Sequence, residues 1–164
     1  MGKNFRYYRL IYTLFAFVTL CLLLWFQFLM ASPIIFNYKI LQLVLAMLLI
    51  IPGLIIMVIS IKKYFLQVSG IRTLFATTIQ NHLETGGLHR FVRHPLYFGT
   101  ILFIWGLLFL LPTLSNAIAV LVITSYVLVG VRLEERKLVL EFGGSYKRYQ
   151  ANVPMLFPGI SRKH

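Results

Sequence analysis

Charged residues cut this chain into long apolar runs. After Lys3, Arg6 and Arg9, the stretch from Leu10 to Ala31 carries no charge and would make a helix of about 33 Å, enough to cross a bilayer. Asn37 and Lys39 mark a short polar turn after Pro33, and Ile40 to Ile61 forms a second uncharged run of similar length. Pro52-Gly53 in its middle predicts a kink whose freed backbone groups need neighbouring helices. A third uncharged run, Pro95 to Val131, would be about 55 Å long as one helix, more than any bilayer accommodates. Pro112 and Ser115-Asn116 near its middle therefore predict a tight helical hairpin. The fold class is all-α: a polytopic membrane protein, one integral membrane domain over 1–164, with four transmembrane helices at about 10–31, 40–61, 96–111 and 116–133.

The charge distribution sets the orientation. With both termini cytoplasmic, fifteen of the sixteen Lys and Arg residues face the cytoplasm and only Lys39 faces out. The apolar core of the first run is about twice as long as that of a secretory signal, so the reading is an uncleaved span; with no targeting segment seen, a bacterial inner membrane is the expected location. Composition agrees: hydrophobic residues make up 59% of the chain and Asp is absent. The net charge of +12 would suit nucleic acid on a soluble face, but here the basic residues flank apolar segments, and anionic lipid headgroups are the simpler partner. A lone Cys21 in an apolar run offers neither a disulfide framework nor a thiolate metal site, so no metal is expected.

Between the second and third runs, residues 62–84 mix Lys62, Lys63, Arg72, His82 and Glu84 with Tyr64, Phe65, Ile71 and Phe75. This is the pattern of an interfacial helix or a basic linker lying on headgroups, interrupted at Gly70. At the other end the last helix continues past the membrane, with Leu133, Leu138, Val139, Leu140 and Phe142 at helical spacing, until Gly143-Gly144 ends it. The tail with Tyr146, Tyr149, Pro154 and Pro158 is placed to fold back over the cytoplasmic mouth, as a C-terminal extension.

Candidate chemistry concentrates where the third run begins. Leu88 to Gly99 holds His89, Arg90, Arg93, His94 and Tyr97 at a membrane entry point. His94 before Pro95 is pushed toward extended backbone, and Pro95 suits the first helical turn, so the pair fixes where the helix starts. Its free N–H groups and the two guanidinium groups favour an anion. Headgroup anchoring alone would need fewer polar groups. Glu134-Glu135, two of the four acids in the chain, sits just past the next membrane exit, and its members point about 100° apart. One of them is expected to face inward, and the sequence does not say which. Gly86-Gly87 permits either a plain turn or close backbone approach to a ligand.

Arg93-His94-Pro95-Leu96-Tyr97-Phe98-Gly99, preceded by Gly87-Leu88-His89-Arg90 and followed by Leu133-Glu134-Glu135-Arg136, Phe142-Gly143, Tyr146, Tyr149 and Val153-Pro154, resembles the isoprenylcysteine carboxyl methyltransferase family. It is similar, more loosely, to phospholipid N-methyltransferases. The resemblance spans roughly residues 83–158, and the first half contributes only hydrophobicity. It implies a membrane-embedded methyltransferase using S-adenosyl-L-methionine, with the cofactor entering from the cytoplasm and a lipophilic acceptor arriving from the bilayer. It also implies that Gly87, Leu88, His89, Arg90, Val92, His94, Pro95 and Tyr97 line the cofactor pocket, and that Glu134 or Glu135 closes it. Arg93, His94, Tyr97 and Glu135 are the residues expected at the reacting centre. The sequence departs from the family at His89, where Tyr is usual, and at Gly86, which duplicates the glycine of the turn; both bear on the acceptor more than on the cofactor.

Methyl transfer from a sulfonium is an in-line displacement that asks mainly for contact in a water-poor site. A carboxylate acceptor would be oriented by Arg90 or Arg93, with Glu134 or Glu135 on the cofactor's amino group or a ribose hydroxyl. An amine acceptor would need a base from His94, Tyr97 or a Glu, and a small thiol is a further alternative. A non-enzymatic transporter or assembly factor is the contrasting class, but the apolar runs lack the mid-span ionisable residue a transporter would carry. A reductase on the same scaffold would need a larger cytoplasmic pocket for its nicotinamide.

Overall fold

The computed structural model describes residues 32–68 and 83–159, together with positions 18, 19, 21, 22 and 25, which are helical. Most of the predicted first span, and residues 69–82 of the predicted interfacial region, lie outside the described residues. Among the described residues the backbone is helical, with extended pairing limited to an isolated antiparallel bridge between Ile34 and Thr113. In chain order come α1 (Lys39–Val68), a 3-10 turn (Gly87–Arg90), α2 (Pro95–Leu110), α3 (Leu114–Phe142) and α4 (Gly144–Asn152).

Helix α1 is 30 residues long and continues without a break through Pro52, although the ring denies the helix one intrahelical bond there. It also continues past Ile61, where the uncharged run ends, for two further turns. Helix α2 begins at Pro95 because His94, with φ −124° and ψ 70°, is held out of helical geometry by the following ring. Thr113 caps α3, its hydroxyl accepting from the Asn116 amide at 3.3 Å. Gly143, at φ 55° and ψ −125°, ends α3 and opens α4 in a conformation that other residues rarely adopt.

The tightest packing is between α1 and α2. Ala46 and Gly53 are two turns apart on α1, as are Gly99 and Gly106 on α2. A Cβ on Gly53 would lie 2.9 Å from the Phe103 nitrogen, one on Gly99 2.9 Å from the Gly53 oxygen, and one on Gly106 3.1 Å from the Ala46 oxygen. The two backbones thus touch in antiparallel register, the close approach that small residues allow where lipid supplies no hydrophobic drive.

Helices α2 and α3 are joined by Leu111–Thr113. The Asn116 side-chain amide donates to the carbonyls of Leu107 (3.1 Å) and Leu111 (2.9 Å), satisfying the end of α2. Further along, Trp105 Nε1 donates to Thr124 Oγ1 at 3.2 Å. The turn is also tied to the segment before α1: Ile35 N donates to Pro112 O (2.7 Å), Leu114 N to Pro33 O (3.1 Å) and Ser115 N to Ser32 Oγ (2.8 Å).

Among the described residues, two stretches, Lys39–Lys62 of α1 and the 29 residues of α3, are long and apolar enough to cross a membrane. Helix α2 is apolar but only 16 residues, about 24 Å. Along α1, Ile40, Leu41, Val44, Leu48, Ile51 and Ile55 are all exposed, an outward apolar face much larger than an aqueous surface tolerates.

Candidate functional site: a glutamate joining three segments

The turn that opens α2 and the exit of α3 meet on Glu135. Its Oε1 accepts from His94 Nε2 at 2.9 Å and from the Tyr146 hydroxyl at 2.8 Å, while Oε2 accepts from Gln150 Nε2 at 2.7 Å. Arg93 Nε lies 3.1 Å from Oε1, but its N–H does not point along that line, so the contact is ionic and not a hydrogen bond. Because Glu135 is the acceptor, the His94 proton on this side sits on Nε2. Glu134 reaches the other ring nitrogen only loosely, its Oε2 being 3.9 Å from His94 Nδ1. Of the two adjacent acids, Glu135 is therefore the inward one, with 12% of its side chain exposed against 35% for Glu134.

The uncharged part of α3 ends at Val131, and Glu135 lies one turn beyond it. Burial pushes the Glu135 carboxyl upward, yet the hydrogen bonds from His94 and Tyr146, the Arg93 charge and the Gln150 bond outweigh it and hold the group below the ordinary carboxylate range. The Tyr146 phenol goes the other way. Its burial, then its bond to Glu135 and the charge of that carboxylate, raise it well above the usual phenol range.

The tail closes over the same spot. Arg93 N donates to Pro154 O at 2.9 Å and His94 N to Met155 O at 3.2 Å, so residues 154–155 run beside the start of α2. Tyr149 OH donates to the His89 carbonyl at 2.6 Å, and the rings of Tyr146 and Tyr149 meet edge to face, 5.9 Å apart. His89 is buried, with Nδ1 3.0 Å from Arg93 O.

The other residues expected at the site sit around this cluster. Gly87 opens the 3-10 turn with φ 64°, a left-handed geometry that glycine allows. Leu88 is half-buried, Arg90 exposed, and Val92 and Pro95 buried. Tyr97 is half-buried, its ring 5.9 Å from that of His94. Gln150 was not singled out by the sequence. It shares one face of α4 with Tyr146 and Tyr149, and that three-and-four spacing after Phe142-Gly143 was the available signal.

Tyr146→Phe isolates one of these bonds, since it keeps the ring but removes the donor. The expected cost is about 1–2 kcal/mol, from the lost bond to a charged acceptor. A carboxyl held low contributes stability that is present above its unfolded value and is lost as pH falls through its folded value. With Tyr146→Phe the Glu135 folded value rises, so acid unfolding followed by circular dichroism should begin at higher pH than in the wild type. An unchanged acid midpoint would show that the bond contributes nothing.

A helical protein with membrane-length apolar helices and a polar cluster at their mouth is what the fold and site define, and the chain belongs to the phospholipid methyltransferase family, whose profile matches residues 41–144. Among curated proteins it is similar to methanethiol S-methyltransferases, being 37% identical over 87 residues to that of Pseudomonas deceptionensis (53% of this chain, 32% of the relative). It is 39% identical over 80 residues to that of Crocosphaera subtropica (49% and 31%). It is also similar to the protein-S-isoprenylcysteine O-methyltransferase of Schizosaccharomyces pombe, 37% identical over 81 residues (48% and 34%), in line with the resemblance seen in the sequence. The chain spans about a third of the length of these relatives. No solved structure matches it.

Proposed function

We propose that this chain is an integral membrane methyltransferase that uses S-adenosyl-L-methionine to methylate a lipophilic acceptor. The observation that carries the reading is the convergence of Arg93, His94 and Tyr146 on Glu135, from three separate segments, beside apolar helices. Four crossings, the last two forming the hairpin, with both termini and the site cytoplasmic, agree with the pairing of Ser32–Ile35 to Pro112–Ser115. Both are turns that alternating spans bring to the same outer end.

The residues present fit the amino-acid end of this cofactor. Arg93 Nε is buried with no aligned acceptor, and Glu135 Oε2 accepts from Gln150 alone among the described residues, which leaves a lone pair for a further donor. Arg93 would hold the carboxylate and Glu135 the ammonium group, with the Gly87–Val92 turn and Pro95 beside them. When bound, S-adenosylmethionine supplies a methyl on a sulfonium: the acceptor's electron pair forms the new bond to carbon, and the pair of the broken bond stays on sulfur as a thioether. His94, fixed by Glu135, and Tyr97 shape the space where the acceptor meets the methyl. The apolar helices keep water away from it.

Equilibrium binding of tritiated S-adenosylmethionine to detergent-purified protein tests the reading. The wild type should bind, and Arg93→Ala and Glu135→Ala should each weaken binding about tenfold or more, as loss of a charge-assisted contact does. A wild-type protein that is folded by circular dichroism and binds none would overturn it.

A further inference from the structure

Ala46, Gly53 and Ser60 follow one another at intervals of two helical turns along α1, and all three are buried. The first two mark the face on which α2 lies: a Cβ on Gly106 would meet the Ala46 oxygen, and one on Gly99 the Gly53 oxygen. Because the two helices are antiparallel, each two-turn step toward the end of α1 is matched by an equal step toward the start of α2. The step after Gly53 and Gly99 sets Ser60 against Val92. A Cβ on Gly99 would also meet Ile56 and Met57, which spreads the register over one turn, so residues 92–96 share the level of Ser60. Helix α2 begins only at Pro95. Ser60 therefore stands where the seam opens onto the turn that carries Arg93 and His94.

A serine inside an apolar helix commonly returns its hydroxyl proton to the carbonyl four residues back. Thr100 does so to Leu96 at 2.9 Å, and Ser125 to Leu121 at 2.8 Å. Ser60 does not: the residue is 4% exposed, and its Oγ reaches neither solvent nor a hydrogen-bond partner. Among the described residues, the other buried side-chain polar atom without an aligned partner is Arg93 Nε. Orphaned buried groups are uncommon because each has given up water for nothing. Here two of them lie at one level of one seam. Both can donate and one is a cation, so a single anionic oxygen group between them would satisfy both.

From this coincidence we infer that the Ser60 hydroxyl is a further contact to the methyl donor, donating to the same carboxylate that Arg93 would hold, so that α1 supplies one wall of the cofactor site. The inference rests on the methyltransferase reading above. Ser60 lies outside residues 83–158, which carry the sequence motif, and only the register of α1 on α2 brings it to the site. Without ligand its unpaired hydroxyl is a cost to the fold; with the carboxylate in place it becomes a charge-assisted bond.

Binding of tritiated S-adenosylmethionine and ligand-free thermal unfolding, both in detergent, test this in wild type, Ser60→Ala and Ser60→Cys. Ser60→Ala should bind about fivefold more weakly, the loss of one hydrogen bond to a charged group. The same variant should melt higher than wild type without ligand, since an unpaired buried hydroxyl is gone and alanine is the better helix former. A serine that merely packed would move neither quantity in this way. Ser60→Cys keeps nearly the same volume with a much weaker donor, and it should lose binding to a similar extent. Decarboxylated S-adenosylmethionine, competed against the label, should bind wild type and Ser60→Ala equally, because it lacks the acceptor. Unchanged S-adenosylmethionine affinity in Ser60→Ala overturns the inference and leaves the methyltransferase reading standing, as does an equal loss for the decarboxylated donor. A lower ligand-free melting temperature in Ser60→Ala would show that the hydroxyl is already partnered, and overturns it too. A wild type that does not bind S-adenosylmethionine removes both.

Discussion

Glu135→Ala is expected to weaken S-adenosylmethionine binding about tenfold or more and to lower stability by about 3–5 kcal/mol, the cost of removing one partner from a buried ion pair. The magnitude follows from what is left behind. Arg93, whose side chain is 10% exposed, would retain a buried charge facing no carboxylate, while His94, Tyr146 and Gln150 would lose their acceptor together. The tail would loosen as a consequence, since α4 is held to α3 partly through Tyr146 and Gln150. Thermal unfolding of detergent-purified protein, paired with an S-adenosylmethionine binding isotherm, measures both effects. Glu135→Gln preserves shape and one acceptor oxygen, so it should destabilise less while still losing most of the binding. Wild-type stability in Glu135→Ala would refute the view that this carboxylate joins the segments.

Gly99→Leu is the second large effect. A Cβ at Gly99 would lie 2.9 Å from the Gly53 carbonyl oxygen and 3.0 Å from Met57 Cγ, so even alanine has to push α1 and α2 apart. Leucine adds three more carbons at a place where backbone meets backbone, and neither side can yield by a rotamer change. Overpacking of this kind costs about 1–3 kcal/mol for a modest insertion and more for a large one. Gly99→Ala should therefore lower the melting temperature measurably, and Gly99→Leu should remove folded protein from the detergent extract, as read by size-exclusion chromatography. Gly144→Leu is the control. A Cβ there meets nothing within 4 Å, so the same side chain should be tolerated.

Most of the helices could be read from the sequence because each has a local cause. His94-Pro95 starts α2 by steric exclusion, Gly143 ends α3 by its backbone conformation, and the polar residues near Pro112 break a run too long for one helix. The span expected at 40–61 coincides with the membrane-length stretch Lys39–Lys62, while the helix itself goes on to Val68 because charge does not stop a helix: Lys62 and Lys63 are good helix formers. The span expected at about 96–111 corresponds to α2, Pro95–Leu110, because Pro95 fixes its start and the polar residues around Pro112 fix where the run must break.

The site divides in the same way. Residue types and spacing brought attention to Arg93, His94 and the Glu134-Glu135 pair, because charges beside an apolar run are costly and must have a use. Two adjacent acids on a helix are equivalent to any local rule, and the choice of Glu135 comes from how α3 is rotated against the start of α2.

By itself, then, the sequence determined the helical class, the start of α2 and the end of α3, the basic ends of the apolar runs and the family motif. All of these depend on steric limits, hydrophobicity or residue identity over a few consecutive positions. Only the tertiary structure decided that one carboxylate would take hydrogen bonds from His94, Tyr146 and Gln150, and that Leu156 would reach between α2 and α3. Those contacts join residues far apart in the chain. Their geometry depends on the crossing and rotation of whole helices, which the glycine contacts of α1 with α2 and the cap at Thr113 fix in space.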